Sequence, residues 1–327
     1  MKRKTIPAVI TLMMIFAASV FAESGDGEES PFTLKLQTDF AYYTHTDRQT
    51  GGTHFAPITG PYEGPDLRTI LDASYKFNTP LGENFLLKDA NVVLTGGIEL
   101  TPLTFRPKVS VEFTPVPFLV FKAGASVGLG WNIGDVKGLC ELDEITFDYE
   151  NLSTFSHPYY DLWASATFQF DTGALIPGDW THVVMLASYT TTYSAIAGLD
   201  SDAIYIWQNS KNKVRGLSYE FQGILAYQMP LVLYRAGLMY KMNGYYDGSN
   251  YGIYDDNFDG TFAEISISPL AQLKFGEKDE LAVLVDFSSR RSFDAEISKE
   301  SESLLRNKLG REWFFKRLAL SWTHRFI

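Results

Sequence analysis

Residues 261–290 read TFAEISISPL AQLKFGEKDE LAVLVDFSSR. The stretch holds two runs, 261–275 and 280–290, in which apolar and polar residues alternate; polar Glu264 is followed by apolar Ile265, and the pattern continues. Successive side chains of a β-strand point to opposite faces, so this alternation is typical of a strand with one apolar and one polar face. The short polar link between the runs predicts a hairpin of two antiparallel strands.

The same alternation recurs along most of the chain. We predict twelve strands, at 32–43, 67–77, 91–101, 106–116, 118–131, 158–170, 181–194, 216–229, 231–242, 261–275, 280–290 and 313–326. An even number of strands about ten residues long brings both termini of a single-chain outer-membrane barrel to one side. The fold class predicted is all-β, a transmembrane antiparallel β-barrel of about twelve strands.

The lengths of the connections separate this barrel from a soluble secreted β-sandwich, the alternative fold. Barrels alternate short periplasmic turns with long external loops. Here the even connections are short or moderate, at 78–90, Pro117, 171–180, Pro230 and 276–279. The odd connections are long in five of six cases, at 44–66, 102–105, 132–157, 195–215, 243–260 and 291–312. An apolar run at 203–207 is left over, and we assign it to the fourth external loop as a strand extension or a plug.

The N-terminus predicts secretion. Lys2, Arg3 and Lys4 precede an apolar run that ends at Ala22, as in a cleaved signal peptide. We therefore expect residues 1–22 to be a signal peptide and 23–327 to be one barrel domain in an outer membrane, in contact with its lipid. Loss of the three bases changes the net charge from −11 to −14, and an acidic chain excludes nucleic acid as a partner.

The chain stops within its last predicted strand, at Phe326 and Ile327. We expect the barrel-insertion machinery to read this terminal amphipathic strand.

Four phrases carry a resemblance to a known family. They are FTPVPF at 113–118, GWN at 130–132, GDWTHVV at 178–184 and YQMPL at 227–231. In them the chain resembles the uncharacterised outer-membrane β-barrel proteins of spirochaetes, of the treponemal type. The resemblance implies a surface barrel without an assigned substrate.

The polar faces of the strands predict the residues that line the lumen. The candidates are Lys35, Asp39, Arg68, Asp72, Lys108, Glu112, Lys122, Asp161, Trp163, Glu220, Arg235, Lys241, Glu264, Asp286, Arg290 and Arg317. Charges of both signs on such a face favour a passive, porin-like channel for small hydrophilic solutes. The alternative is a closed barrel, filled by paired charges, that displays long acidic loops for binding or adhesion. Trp163 is either a packed lumen aromatic or a platform for a sugar or nucleoside.

The remaining motifs give little support for chemistry. Asp255, Asn257 and Asp259 begin a pattern like that of a calcium loop, but the twelfth position is Ser266 where a bidentate Glu is expected. Neither His182 nor His324, the two histidines near strands, has an obvious Ser partner for a lipase-like pair. We expect no enzyme and no cofactor.

Overall fold

The computed structural model describes residues 30–327, apart from the side chains at positions 61–63 and 65. The predicted signal peptide, 1–22, lies outside the described residues. The described strands are β1 (Phe32–His45), β2 (His54–Ala56), β3 (Gly60–Asn78), β4 (Asn91–Thr101), β5 (Thr104–Val116), β6 (Leu119–Gly130), β7 (Leu139–Leu142), β8 (Tyr149–Asn151), β9 (Tyr159–Asp171), β10 (His182–Ile196), β11 (Tyr205–Trp207), β12 (Ser210–Lys213), β13 (Gly216–Gln228), β14 (Leu233–Tyr245), β15 (Glu264–Phe275), β16 (Asp279–Phe293) and β17 (Lys308–Arg325). Three short segments are 3-10 helices: Thr172–Ala174, Gly248–Tyr254 and Glu300–Leu305. The α-helix α1 spans Asp255–Phe258.

Twelve long strands form one closed sheet. Their order is β1-β3-β4-β5-β6-β9-β10-β13-β14-β15-β16-β17, and β1 also pairs with β17. Each neighbouring pair is antiparallel and consecutive among the long strands, and the closing pair sets Asp39 opposite Ser321. Closure leaves no unpaired long edge, which is the requirement for strands that span a membrane. The predicted twelve-stranded antiparallel barrel is confirmed.

The connections divide by length between the two ends of the barrel. At one end, here called the turn end, the connections are 79–90, 117–118, 172–181, 229–232 and 276–278. At the other, the loop end, they are 46–59, 102–103, 131–158, 197–215, 246–263 and 294–307. The chief difference from the predicted boundaries is β3, which begins at Gly60 rather than 67 because its upper part pairs with the end of β1 near His45.

Burial along the strands is the inverse of that in a soluble protein. On β9, Leu162 is 57% exposed and Phe168 is 45% exposed. Asp161, the residue before Leu162 on the same strand, is only 3% exposed. Large apolar side chains thus cover the outer wall, and polar side chains fill the interior, as a lipid solvent demands. Among residues 30–327 no helix is both long enough and apolar enough to cross a membrane.

Four short strands form a second sheet, in the order β12-β11-β7-β8. They come from the two longest loop-end connections. The leftover run 203–207 thus contributes β11 to this separate sheet and adds no strand to the barrel, so the count of twelve stands. A short strand, β2, pairs in parallel with β17 at the same end.

A β-bulge in β17 reverses the predicted inward and outward faces for the residues at the start of the strand. Asp286 pairs with Arg317, but Phe287 pairs with Phe315, so Lys316 is an extra residue. The sequence pattern placed Phe314 on the lipid face, and this is wrong. The guanidinium of Arg290 lies 4.4 Å from the centre of the Phe314 ring, on the inner side.

Candidate functional site

Five charged residues form a chain of ion pairs along the inner wall, here called the ion ladder: Asp39, Arg68, Glu99, Arg106 and Asp161. Arg68 Nε donates to Asp39 at 2.9 Å, and Arg68 Nη1 lies 3.8 Å from Glu99. Arg106 donates to Glu99 at 2.9 Å and to Asp161 at 3.2 Å. None of the five is more than 7% exposed. The ion ladder therefore links β1 to β9 on the inner wall and is covered by other parts of the protein.

Polar neighbours donate further hydrogen bonds to the Asp39 carboxylate. Gln37 donates to Asp39 at 2.9 Å, and the Ser321 hydroxyl donates to the same carboxylate at 2.6 Å. A buried charge is tolerated only when it is paired and its remaining hydrogen-bonding positions are filled. Asp39 meets this condition, whereas Arg68 Nη1, Arg106 Nε and Asp161 Oδ1 are buried without a hydrogen-bond partner among the described residues.

A second charged group lies on the adjoining part of the wall, formed by β16, β17 and β1. Arg317 Nε donates to Asp286 at 2.5 Å and Nη1 donates to the Tyr43 hydroxyl at 2.8 Å. The Ser268 hydroxyl donates to Asp286 at 2.5 Å. Beside it an apolar cluster of buried residues fills this side of the lumen: Ala41, Tyr43, Met239, Leu270, Ala282, Leu284 and Ala319.

The turn-end half of the lumen is less tightly filled. Lys108 lies 3.0 Å from Asp72, and Lys122 lies 3.5 Å from Glu112; all four side chains are half-buried. Lys35 is half-buried on β1, opposite Asp72 in the register of β1 with β3.

Trp163 lies against the inner wall in this half of the barrel. A Cβ added to Gly124 would lie 2.5 Å from the indole, so only glycine leaves room for the ring. The Lys122 ammonium is 6.0 Å from the centre of that ring. Both contacts are with β6, and the side chain of Trp163 is half-buried.

The other predicted lining residues pair in smaller groups. Lys241 lies 2.6 Å from Glu220. Arg235 donates to Gln228 at 2.8 Å, and Arg290 pairs with Glu312 near the loop end. Glu264 starts β15 at the loop end, half-buried.

A hairpin from the fourth loop enters the lumen at the loop end. It comprises β11, β12 and the two residues between them, 205–213, and is called the plug hairpin here. Gln208 at its tip donates to Glu99 of the ion ladder at 2.9 Å and to the Thr104 hydroxyl at 2.8 Å. Gln208 and Asn209 have φ of 52° and 62°, the left-handed backbone of a two-residue hairpin turn in which glycine or asparagine is usual. This strained backbone conformation persists only where surrounding contacts, such as those of Gln208, stabilise it.

Trp207 fixes the plug hairpin to the wall. Its ring stacks on Tyr159, with centroids 4.5 Å apart and planes at 7°. A Cβ on Gly128 would lie 2.4 Å from the indole, and one on Gly130 would lie 2.9 Å from it. These two glycines therefore form the seat of the ring on β6.

The loop-end connections fold together into a cap above the plug hairpin. Its buried apolar core draws on four connections: Cys140, Leu142, Tyr149, Ile204, Ile206, Val214, Tyr251, Tyr254, Phe258, Phe293 and Leu304. Asn212 ties three of them together, because it accepts from Tyr149 and donates to Ser303 at 3.0 Å. Burial raises the pKa of the Cys140 thiol to about 11. The predicted acidic loops are thus an ordered structure.

The predicted calcium residues lie in this cap. Asp255 accepts from the Gly260 amide at 2.8 Å, and Asp259 pairs with Lys308 at 2.7 Å, a contact that lowers the pKa of Asp259 despite its partial burial. Asn257 lies in α1 between them. Within residues 30–327, no group of three or more His, Cys, Asp or Glu is placed to hold a metal ion.

Several residues of the site were missed by the sequence pattern. Arg106 is the first residue of the predicted strand 106–116 and has the same inward parity as Lys108, but it was not among the predicted lining residues. Glu312 is buried completely, but the bulge at Lys316 changes the phase of β17 ahead of it. Gln208 and Trp207 carry no local signal, because their roles depend on the seat at Gly128 and Gly130.

No protein-family model matches the chain, and no curated protein matches it. Solved structures that are similar include an outer-membrane channel from Pseudomonas putida F1, with 13% identity, a TM-score of 0.40 and coverage of 94% of this chain and 100% of that one. The KdgM porin in complex with disordered oligogalacturonate has 9% identity, a TM-score of 0.38 and coverage of 89% and 99%. The DcaP channel of Acinetobacter baumannii has 11% identity, a TM-score of 0.35 and coverage of 90% and 96%.

The strand order and the inverted burial of this chain, rather than those likenesses, define its class. It is a closed transmembrane β-barrel of twelve strands with a polar interior and a folded cap.

Proposed function

We propose that the protein is a porin-like channel of an outer membrane that passes small hydrophilic solutes only when the plug hairpin leaves the lumen. Secretion by the predicted signal peptide and insertion through the C-terminal strand belong to the same proposal. The lining is mainly polar on β3 to β10, which suits hydrophilic rather than fatty solutes.

The observation that carries the proposal is the contact of Gln208 with the ion ladder. A loop residue that donates to Glu99 and Thr104 on the inner wall lies inside the path a solute would take. Below it, toward the turn end, the charged side chains are half-buried rather than buried. The turn-end half of the lumen is therefore less tightly filled than the loop-end half, which supports a closure at the plug hairpin.

Planar-bilayer recording of the refolded protein tests the proposal. We expect wild type to conduct rarely, and Trp207→Ala to conduct in frequent discrete steps. The substitution removes the ring stacked on Tyr159 and leaves a cavity at Gly128, a change that costs about 3–5 kcal/mol when an aromatic is lost from a core. A second variant, with 205–213 replaced by a Gly-Ser linker, should conduct continuously.

Trp180→Ala is the matched control. Trp180 lies exposed in the 172–181 connection at the turn end, so its loss should leave the conductance of wild type unchanged. Steps as large and frequent in wild type as in the linker variant would show that the plug hairpin does not obstruct the lumen.

A second candidate function is the closed scaffold that displays its cap for binding or adhesion. The observation favouring it is the burial of the ion ladder, whose charges pair with one another along the inner wall. A linker variant that is folded by circular dichroism yet electrically silent would select the scaffold over the channel.

A further inference from the structure

Cations gather on the inner wall in the turn-end half of the barrel. Lys35, Lys108 and Lys122 are half-buried there and are called the basic vestibule here. The charged groups that act most strongly on Lys35 are Asp72, Lys108, Lys122 and Arg325. Three of these four are cations, so like charges face one another across this part of the lumen.

The carboxylates nearby are already engaged. Asp72 lies 3.0 Å from Lys108, and Glu112 lies 3.5 Å from Lys122. Within residues 30–327 no carboxylate lies within 4.0 Å of Lys35, whose register neighbours are Asp72 and Arg325. The basic vestibule therefore has one more cation than it has paired carboxylates.

Two exposed bases lie at the rim of the turn end, next to the strand that carries Lys35. Lys76 on β3 and Arg325 on β17 are at inward positions, and β3 and β17 are the two neighbours of β1. A third exposed base, Lys274 on β15, lies opposite Glu280 in register. Lys76 and Arg325 therefore extend the positive charge around Lys35 toward the opening.

Gly97 makes room on the inner wall for the contact between Asp72 and Lys108. A Cβ on Gly97 would lie 2.0 Å from the Asp72 carboxylate and 2.9 Å from the Lys108 side chain. Glycine at this position lets the two charges meet across β4 while their polar ends face the lumen. Converging ammonium groups in a poorly hydrated space are stabilised by a shared anion, since the attraction between opposite charges strengthens as the local dielectric falls.

We propose that the basic vestibule binds a small multivalent oxyanion, a solute that carries phosphate or carboxylate groups, between Lys35, Lys108 and Lys122. If the barrel is a channel, this site identifies oxyanions as the class of solute that it passes. The inference rests on the proposed function only because the site lies on the proposed path of the solute. Access is from the turn end, so binding does not require the plug hairpin to move.

Isothermal titration of the refolded wild-type barrel in detergent tests the site, with inorganic phosphate and citrate as probes and glucose as the neutral comparison. We expect both anions to bind at one shared site, and glucose not to bind. Lys35→Gln and Lys108→Gln should each weaken binding about tenfold, the loss of about 1.4 kcal/mol. Lys35→Arg keeps the charge and should bind within about twofold of wild type.

The matched control is Lys299→Gln, which removes one charge from the cap, where Lys299 pairs with Asp148. It should bind like wild type. Failure of both anions to bind, or equal affinity in wild type and Lys35→Gln, would overturn the site. Because the titration uses the closed barrel, a binding barrel that stays silent after removal of 205–213 would overturn the channel and leave the site standing.

Discussion

At the scale of single residues, Arg106 is a buried cation that bridges two carboxylates of the ion ladder. It joins Glu99 to Asp161 and so links strands that are not neighbours in the sheet. The loss of one partner of such a buried pair strongly destabilises the fold, because it leaves an unpaired buried charge. The loss of one partner of a half-buried pair, such as Lys241 with Glu220, costs less stability because water can screen the remaining charge.

Replacing Arg106 by Ala should lower the free energy of unfolding by about 3–5 kcal/mol, because Glu99 and Asp161 would both lose their nearest cation. Lys241→Ala is the matched control and should cost about 1 kcal/mol or less. Urea unfolding of both variants in lipid vesicles, followed by tryptophan fluorescence, gives the comparison. Equal losses in the two variants would mean that the ion ladder is hydrated.

At the scale of the strand, each barrel element has one face in lipid and one in the lumen. Val109 near the middle of β5 is 62% exposed, an exposure that a soluble protein would rarely allow for a whole band of apolar residues. Its neighbours in sequence, Lys108 and Ser110, belong to the inner face. The outward band of this and the other long strands is the surface that the membrane covers.

Val109→Arg should destabilise the barrel in lipid vesicles by about 2–4 kcal/mol, the cost of arginine at the lipid midplane of a β-barrel. Leu305→Arg is the control, since Leu305 is 52% exposed but lies on the cap in water. Its substitution should change stability by about 0.5 kcal/mol or less. If both variants were equally stable, the outer wall at Val109 would not be in lipid.

At the scale of the whole molecule, the cap and the plug hairpin form one unit. Ile206 of the hairpin packs in the same core as Tyr251 and Leu304 from other connections. Cys140 lies in that core with no exposed surface. Movement of the plug hairpin must therefore disturb the cap. The accessibility of the Cys140 thiol then reports whether the plug hairpin is in its closed position.

Cys140 should resist maleimide at pH 8 in the closed barrel, because burial blocks access and the pKa of about 11 leaves very little reactive thiolate. In Trp207→Ala the reaction should speed up at least tenfold at the same pH, since an opening cap exposes the thiol and returns its pKa toward about 8.5. Trp180→Ala should react at the wild-type rate. Labelling of wild type as fast as in urea would mean that the cap is not folded in solution.

The sequence by itself determined the strands, their number and their closure. Alternation of period two is a local property, and the parity of the connection lengths follows from an up-and-down chain. The inward positions of Asp39 and Arg68 also follow from the alternation, whereas their pairing depends on the register of β1 with β3.

Only the tertiary structure decided whether the lumen is filled. The bulge at Lys316 changed which face Phe314 and Glu312 occupy, and no residue pattern marked its position in advance. Trp207 and Gln208 belong to a loop whose sequence shows only a short apolar run. Their place in the barrel depends on glycines about 80 residues earlier in the chain, a contact between distant segments that local alternation does not encode.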